Sequence, residues 1–328
     1  MSKTKTRKKG RLMWGLIYVG AFLATFIASA AFKLTWNPLG ENYSVQWDDS
    51  VGTTYIDLSY GPGEANKFDL YLPADDTKET YGLVVYLHAG GFTSGDKSGD
   101  AGMLQWLCSK GYVAAGINYT LFGEEHPEAN VYTQSVEIRD SIPYILAAAG
   151  ERGYQIDRMA ISGGSAGHTL AMLYAYRDGP DSPVPVKLTC GAVGPSCFYP
   201  EDWSCFGLDQ GSEESNAAAA AMFGLMAGET IPPERIGTPE YDEAVKNISA
   251  VAWIDENSPP TVCAYGAHDK VQAFPASKRL AAALEEHGVS HEYIVFHHSG
   301  HGLQNDKKLY ALYMEKVEES GPVHGGVR

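Results

Sequence analysis

One stretch constrains the architecture more than any other. A short apolar run, Met159-Ala160-Ile161, leads through Ser162 into Gly163-Gly164-Ser165-Ala166-Gly167, and the helix formers Leu170, Ala171, Met172 and Leu173 follow. That order predicts a strand, a sharp turn and a helix. The turn matches Gly-x-Ser-x-Gly, in which a serine in a strained conformation needs small neighbours two residues before and two after it, so that strand and helix can close around it. Ser165 is expected to stand exposed at the helix N-terminus, where the helix dipole and unpaired N–H groups favour negative charge.

The rest of the chain is patterned to surround such a turn. Residues 53–59 and 67–72 alternate as strands do and flank Gly61-Pro62-Gly63, which predicts an antiparallel hairpin. Leu83-Val84-Val85-Tyr86-Leu87 is a continuous apolar run of the kind buried on both faces of a sheet. Helical spacing over 103–109, a strand over 112–117 and a long amphipathic helix over 131–149 come next, with Pro143 marking a kink or boundary in that helix. Beyond the serine turn, strands are expected at 186–193, 261–267 and 292–297, and helices at 274–287 and 303–317. The alternation is that of an α/β protein with a mostly parallel sheet of about eight strands flanked by helices, binding ligands at the carboxyl ends of the strands.

Residues 195–258 break this rhythm. They hold an aromatic loop (Phe198, Tyr199, Trp203, Phe206), an alanine-rich helix over 216–228 and a short helix over 240–248. The segment has too few apolar residues for a core of its own and reads as a cap inserted over the strand ends.

Composition matters most at the N-terminus. The formal net charge is −15, yet six basic residues lie before residue 12 and no acid precedes Glu41, so the body is more acidic still. Such a surface repels phosphate backbones and argues against a nucleic-acid partner. Residues 12–32 carry no charge, a length suited to a membrane span, and the preceding bases place that end in the cytoplasm. Ala28-Ser29-Ala30 also fits a signal-peptide cleavage site. Residues 1–35 are therefore read as a basic N-terminus with an anchor or a removable signal, 36–52 as a tether and 53–328 as the exported domain, secreted if cleaved near Ala30. Export permits disulfides, and Cys197 with Cys205 is the favoured pair among the five cysteines, while Cys108 and Cys263 read as core residues. No spacing resembles a zinc site.

A serine hydroxyl becomes a nucleophile only beside a base, usually a histidine that a carboxylate orients. His301, in Ser299-Gly300-His301-Gly302, lies in a small-residue loop between the last strand and the last helix, and is preferred over His297 and His298 at the strand end. Asp269 directly follows the 261–267 strand in Gly266-Ala267-His268-Asp269, whereas Asp255 and Glu256 precede it at the wrong end of the sheet. At the end of the 83–87 strand, His88-Ala89-Gly90-Gly91-Phe92 offers N–H groups with no Cβ in the way; Gly90 and Gly91, with Ala166 after the serine, are assigned to an oxyanion hole. His88 is expected to brace that loop. Neither a metal nor a cofactor is required.

Taken together, His-Ala-Gly-Gly-Phe with Gly95-Asp96-Lys97, then Gly-Gly-Ser-Ala-Gly-His, then Ser258-Pro259-Pro260 leading to Gly-Ala-His-Asp-Lys, then Ser-Gly-His-Gly, resemble the α/β-hydrolase superfamily, in particular bacterial esterases related to hormone-sensitive lipase. The triad order Ser165, Asp269, His301 is the one those hydrolases use. Two departures stand out: Ala89 replaces a glycine of the His-Gly-Gly-Gly form, and the elbow reads Gly-Ser where Asp-Ser is frequent. The resemblance implies an α/β-hydrolase fold and a serine carboxylesterase forming an acyl-enzyme on short or medium acyl groups, free or borne on polysaccharides such as acetyl and feruloyl esters. The alternatives are a peptidase of the prolyl-oligopeptidase type and a catalytically silent surface binding protein.

Overall fold

The computed structural model describes residues 43–320. All the elements below belong to one unit that begins at Val45; the expected anchor or signal, and residues 36–42 of the expected tether, lie outside the described residues. The eight strands are β1 (Gly52–Ser59), β2 (Lys67–Pro73), β3 (Tyr81–Leu87), β4 (Val113–Ile117), β5 (Ile156–Gly164), β6 (Val186–Ala192), β7 (Thr261–Gly266) and β8 (His291–Phe296). They form one sheet in the order β1-β2-β4-β3-β5-β6-β7-β8. β1 and β2 pair antiparallel, as does β2 with β4, and every pairing from β4 to β8 is parallel.

The seven described α-helices are α1 (Ala101–Ser109), α2 (Val131–Gly150), α3 (Ala166–Leu173), α4 (Glu213–Ala227), α5 (Pro239–Lys246), α6 (Phe274–Glu286) and α7 (Lys307–Ser320). Parallel neighbours need crossovers, and α1, α2, α3, α6 and the long β6–β7 segment supply them. Central strands are apolar on both sides because helices cover both faces. Leu83, Val85, Leu87, Met159 and Ile161 join the main core, while Val84, Tyr86, Ala160 and Ser162 face α1 and α7 across an apolar cavity of about 360 Å³.

Register brings the functional loops to one edge. Leu87 pairs with Gly163, Gly164 with Ala192 and Gly266 with Phe296, so the chain leaves β3, β5, β7 and β8 at the same carboxyl rim. The segment between β6 and β7 contains α4, α5 and several short 3₁₀ turns. Its aromatic side chains Phe198 and Trp203 stack, Phe223 meets both edge-on, and all three join the main core. Arg279 of α6 ties its near end down, donating from Nε to Asp202 Oδ2 at 2.7 Å and from Nη2 to Oδ1 at 3.2 Å.

Three expectations need correction. Cys197 and Cys205 are not bridged: Cys197 is buried beside Asp202 while Cys205 is exposed, and all five cysteines are free. The last helix starts at Lys307, because residues 303–306 form a turn that the hydrogen bonds of Asp306 hold open. Pro143 neither ends nor divides α2, which continues to Gly150 from a capping box between Asn130 and Thr133. The proline sits on the exposed side of that helix, where the missing N–H falls in water. Pro143→Ala restores a helix N–H without opening a cavity, and should raise the unfolding free energy by about 1–2 kcal/mol in urea titration, net of the unfolded-state entropy that proline removes.

Candidate active site

The site is built outward from Ser165. Its φ of 51° and ψ of −119° put a non-glycine residue in a sparsely populated region between β5 and α3. Gly167 makes this turn possible, since a Cβ there would collide with the Leu87 carbonyl oxygen. The Ser165 amide donates to Ala192 O at 2.8 Å, and its carbonyl accepts from His168 and Thr169 in the first turn of α3. Ala166 and Gly167 carry the remaining first-turn amides, which a helix leaves without intrahelical partners.

His301 stands over the serine. Its Nε2 lies 2.9 Å from Ser165 Oγ and its Nδ1 lies 2.8 Å from Asp269 Oδ2. With Nδ1–H donating to the carboxylate, Nε2 is free to accept the serine proton. The Asp269 side chain is fully buried, and its other oxygen accepts amide hydrogen bonds from Val271 at 2.8 Å and Gln272 at 3.0 Å. Hydrogen-bonded and directed, this carboxylate can hold one imidazole tautomer. His298 is exposed and bonds to Asp306, and His297 is exposed, so neither reaches the serine hydroxyl in this arrangement.

The loop after β3 lies beside the elbow, with the Leu87 and His88 carbonyls directly over Gly167. Gly90 (φ 135°) and Gly91 (φ 61°) take conformations that side chains disfavour. The Thr93 and Ser94 amides fold back onto the Gly90 carbonyl, leaving the Gly91 amide outside that turn. His88 anchors the loop: its ring stacks on Tyr119 at 4.3 Å, and Nδ1 donates to Ala89 O at 2.8 Å. Burial lowers its pKa, which keeps the ring neutral. Gly164, the departure beside the serine, has open space ending at the Ala89 methyl, the other departure; the two altered positions face one another.

Residues 68–197 match the family described as BD-FAE, and residues 220–317 match the prolyl oligopeptidase family. A truncated carbohydrate esterase from gut microbiota superposes with a TM-score of 0.65 at 17% identity, covering 84% of this chain and 98% of that one. The chain has the α/β-hydrolase fold. Among curated relatives, the probable carboxylic ester hydrolase LipM of Mycobacterium tuberculosis is 31% identical over 123 residues, 36% of this chain and 27% of LipM. Kynurenine formamidase of Danio rerio is 29% identical over 131 residues, 39% of this chain and 41% of the relative. The aligned part thus spans less than half the length of either curated relative.

Two residues that support the site carried no clear signal in the sequence. Asp306 holds the His301 loop by accepting from His298 N at 2.9 Å and Ser299 Oγ at 2.7 Å, and it contacts His298 Nδ1 at 2.8 Å. Burial alone would raise its carboxyl, but the hydrogen bonds from Ser299 and His298 outweigh that and leave the pKa lowered. The sequence pattern places it inside the expected 303–317 helix, where a carboxylate carries no signal of a loop contact. His168, inside α3, is completely buried; Nδ1 accepts from Gly194 N at 3.1 Å, while Nε2 has no partner. Among the described residues no group of three or more His, Cys, Asp or Glu side chains could hold a metal ion, and no helix is long and apolar enough to cross a membrane.

Burial pushes the His168 pKa down to about 3, so the folded state binds fewer protons than the unfolded chain between pH 3 and about 6.5. Stability should therefore fall as pH drops through that window, by an amount on the order of 4 kcal/mol. Nitrogen NMR should show the Nε2–H tautomer persisting to pH 4. Protonation of His168 near pH 6 in the folded protein would contradict this.

Proposed function

We propose that this α/β-hydrolase is a serine carboxylesterase. The observation that carries the reading is the continuous hydrogen-bond chain Asp269–His301–Ser165, with the serine on a strained elbow under a glycine loop. Ser165 Oγ attacks the ester carbonyl as its proton passes to His301 Nε2. The amides of Ala166 and the Gly90–Gly91 loop receive the negative charge that develops on the carbonyl oxygen. His301 returns the proton to the departing alcohol, leaving Ser165 acylated, then takes a proton from water as that water attacks the acyl group. Collapse releases the acid and restores the serine, with Asp269 balancing the imidazolium throughout.

The likeness to carbohydrate esterase and carboxylic ester hydrolase supports small-molecule or polysaccharide-borne esters as the substrate class. Short to medium acyl groups are the finer reading. The basic N-terminus followed by 21 uncharged residues supports export, with the domain outside the cytoplasm and either anchored or released by cleavage near Ala30.

Hydrolysis of p-nitrophenyl acetate, butyrate and octanoate, measured beside a prolyl-peptide substrate, tests the reading. Ester hydrolysis with no peptide cleavage is expected. Ser165→Ala should lower kcat by roughly 10⁴–10⁶-fold, and Asp269→Asn by roughly 10³–10⁴-fold with KM little changed. Undiminished esterase activity in Ser165→Ala, or cleavage of the peptide alone, would sink it. Fractionation and N-terminal sequencing of the natural product decide the address: a start at Ala31 excludes the anchor.

A further inference from the structure

The Gly95-Asp96-Lys97 motif has no part in the chemistry above, yet Lys97 is almost completely buried, which an ammonium tolerates only when paired. Its Nζ lies 2.7 Å from Asp57 Oδ1 and 3.2 Å from Asp69 Oδ1. Asp57 sits at an irregularity in the β1–β2 pairing, where its own amide donates to Asp69 Oδ1 at 2.9 Å. A charged triad therefore binds residue 97 to the two antiparallel strands.

The main chain at this point is gripped by Asn118, just past β4. Asn118 Nδ2 donates to Asp96 Oδ2 at 2.6 Å, and its Oδ1 accepts from Lys97 N at 2.7 Å. Asn118 is itself fixed, its amide donating to Lys67 O and its carbonyl accepting from Tyr60 Oη at 2.6 Å. The next residue, Tyr119, holds the other foot of the same loop: it stacks on His88 and donates to the His88 carbonyl at 3.1 Å. Gly95 (φ 105°) closes the ring, because any Cβ there would strike His88 Nδ1 and Ala89 O. Adjacent residues on one rigid strand end thus clamp both feet of the loop that carries Gly90 and Gly91.

We propose that Asn118, acting on Asp96 and Lys97, is a positioning residue that aims the amides of the Gly90–Gly91 loop at the oxyanion. The inference rests on reading that loop as the oxyanion hole. Asn118 touches no reacting atom; it confines the loop so that its donors need not reorganise as charge develops.

Asn118→Ala, Asp96→Ala and the double variant test it, with active-site titration to count competent sites and thermal melts to count folded molecules. The readouts are the second-order rate of Ser165 phosphonylation by an alkyl fluorophosphonate, kcat and KM on p-nitrophenyl acetate, and the pH midpoint of the phosphonylation rate. Each single variant should lose roughly 10–100-fold in kcat and in phosphonylation rate together, with KM within about twofold and the pH midpoint unmoved. The double variant should lose no more than the worse single one, since both break one linkage. Folded variants whose phosphonylation rate stays within about twofold of wild type, or whose loss lies wholly in KM or in the titratable fraction, overturn the proposal. Should Asn118→Ala not fold, Asp96→Asn keeps the shape and removes the charge, and must still lower the phosphonylation rate per titrated site roughly threefold or more. A wild-type protein that is phosphonylated but hydrolyses no ester would defeat the esterase reading alone, and the phosphonylation comparison would still decide the role of Asn118.

Discussion

The close approach of α3 to the end of β3 is the constraint on which the site depends. The Leu87 carbonyl occupies the space where a side chain on Gly167 would lie, so helix and strand meet backbone to backbone. That contact forces the turn between β5 and α3 to be very short, and Ser165 absorbs the cost in a positive φ. Strain of this kind persists only where the surroundings over-determine it. Here they do: the serine amide is bound to Ala192, its carbonyl to two helix amides, and the helix behind it is buried along its whole length.

The same pattern recurs around the rim. Among the described residues, five non-glycine residues have positive φ, and Phe92, Ser165, Val193 and Leu303 lie in segments that follow β3, β5, β6 and β8 at the carboxyl edge. The sheet provides a rigid platform through its parallel register, and these four strained residues lie in the connections that present chemistry, while the fifth, Asp57, sits at the irregularity in β1. Rigid support beneath strained loops lets hydrogen-bond donors and acceptors wait in place before charge develops.

Buried polar groups around the site serve different ends. Lys97, Asp69 and Asp269 are charged or hydrogen-bonded in networks that connect a loop to the sheet, and each holds a segment at the rim. His168 is different, since its ring is enclosed and half-satisfied, and burial keeps it neutral. A neutral imidazole packed in the first turns of α3 puts no positive charge in the core beneath the elbow.

Local pattern was enough to read the strands, the crossover helices and the α/β-hydrolase architecture, because apolar runs bounded by glycine encode strand and turn over a few residues. The motifs at the strand ends also picked out Ser165, Asp269 and His301, which the folded chain brings into one hydrogen-bonded line. Pairings between distant residues had no such signature. Asn118 reaches back to Asp96 and Lys97, and Asp306 to Ser299, only because the sheet register and the loop paths bring them together; Cys197 and Cys205 stay apart because one turns into the core and the other toward solvent. Residue identity and near neighbours set which backbone conformations and which reactive groups were available, since both are local properties of the chain. How those groups are aimed emerged on folding, because direction is set by contacts between segments that the chain's own order leaves far apart.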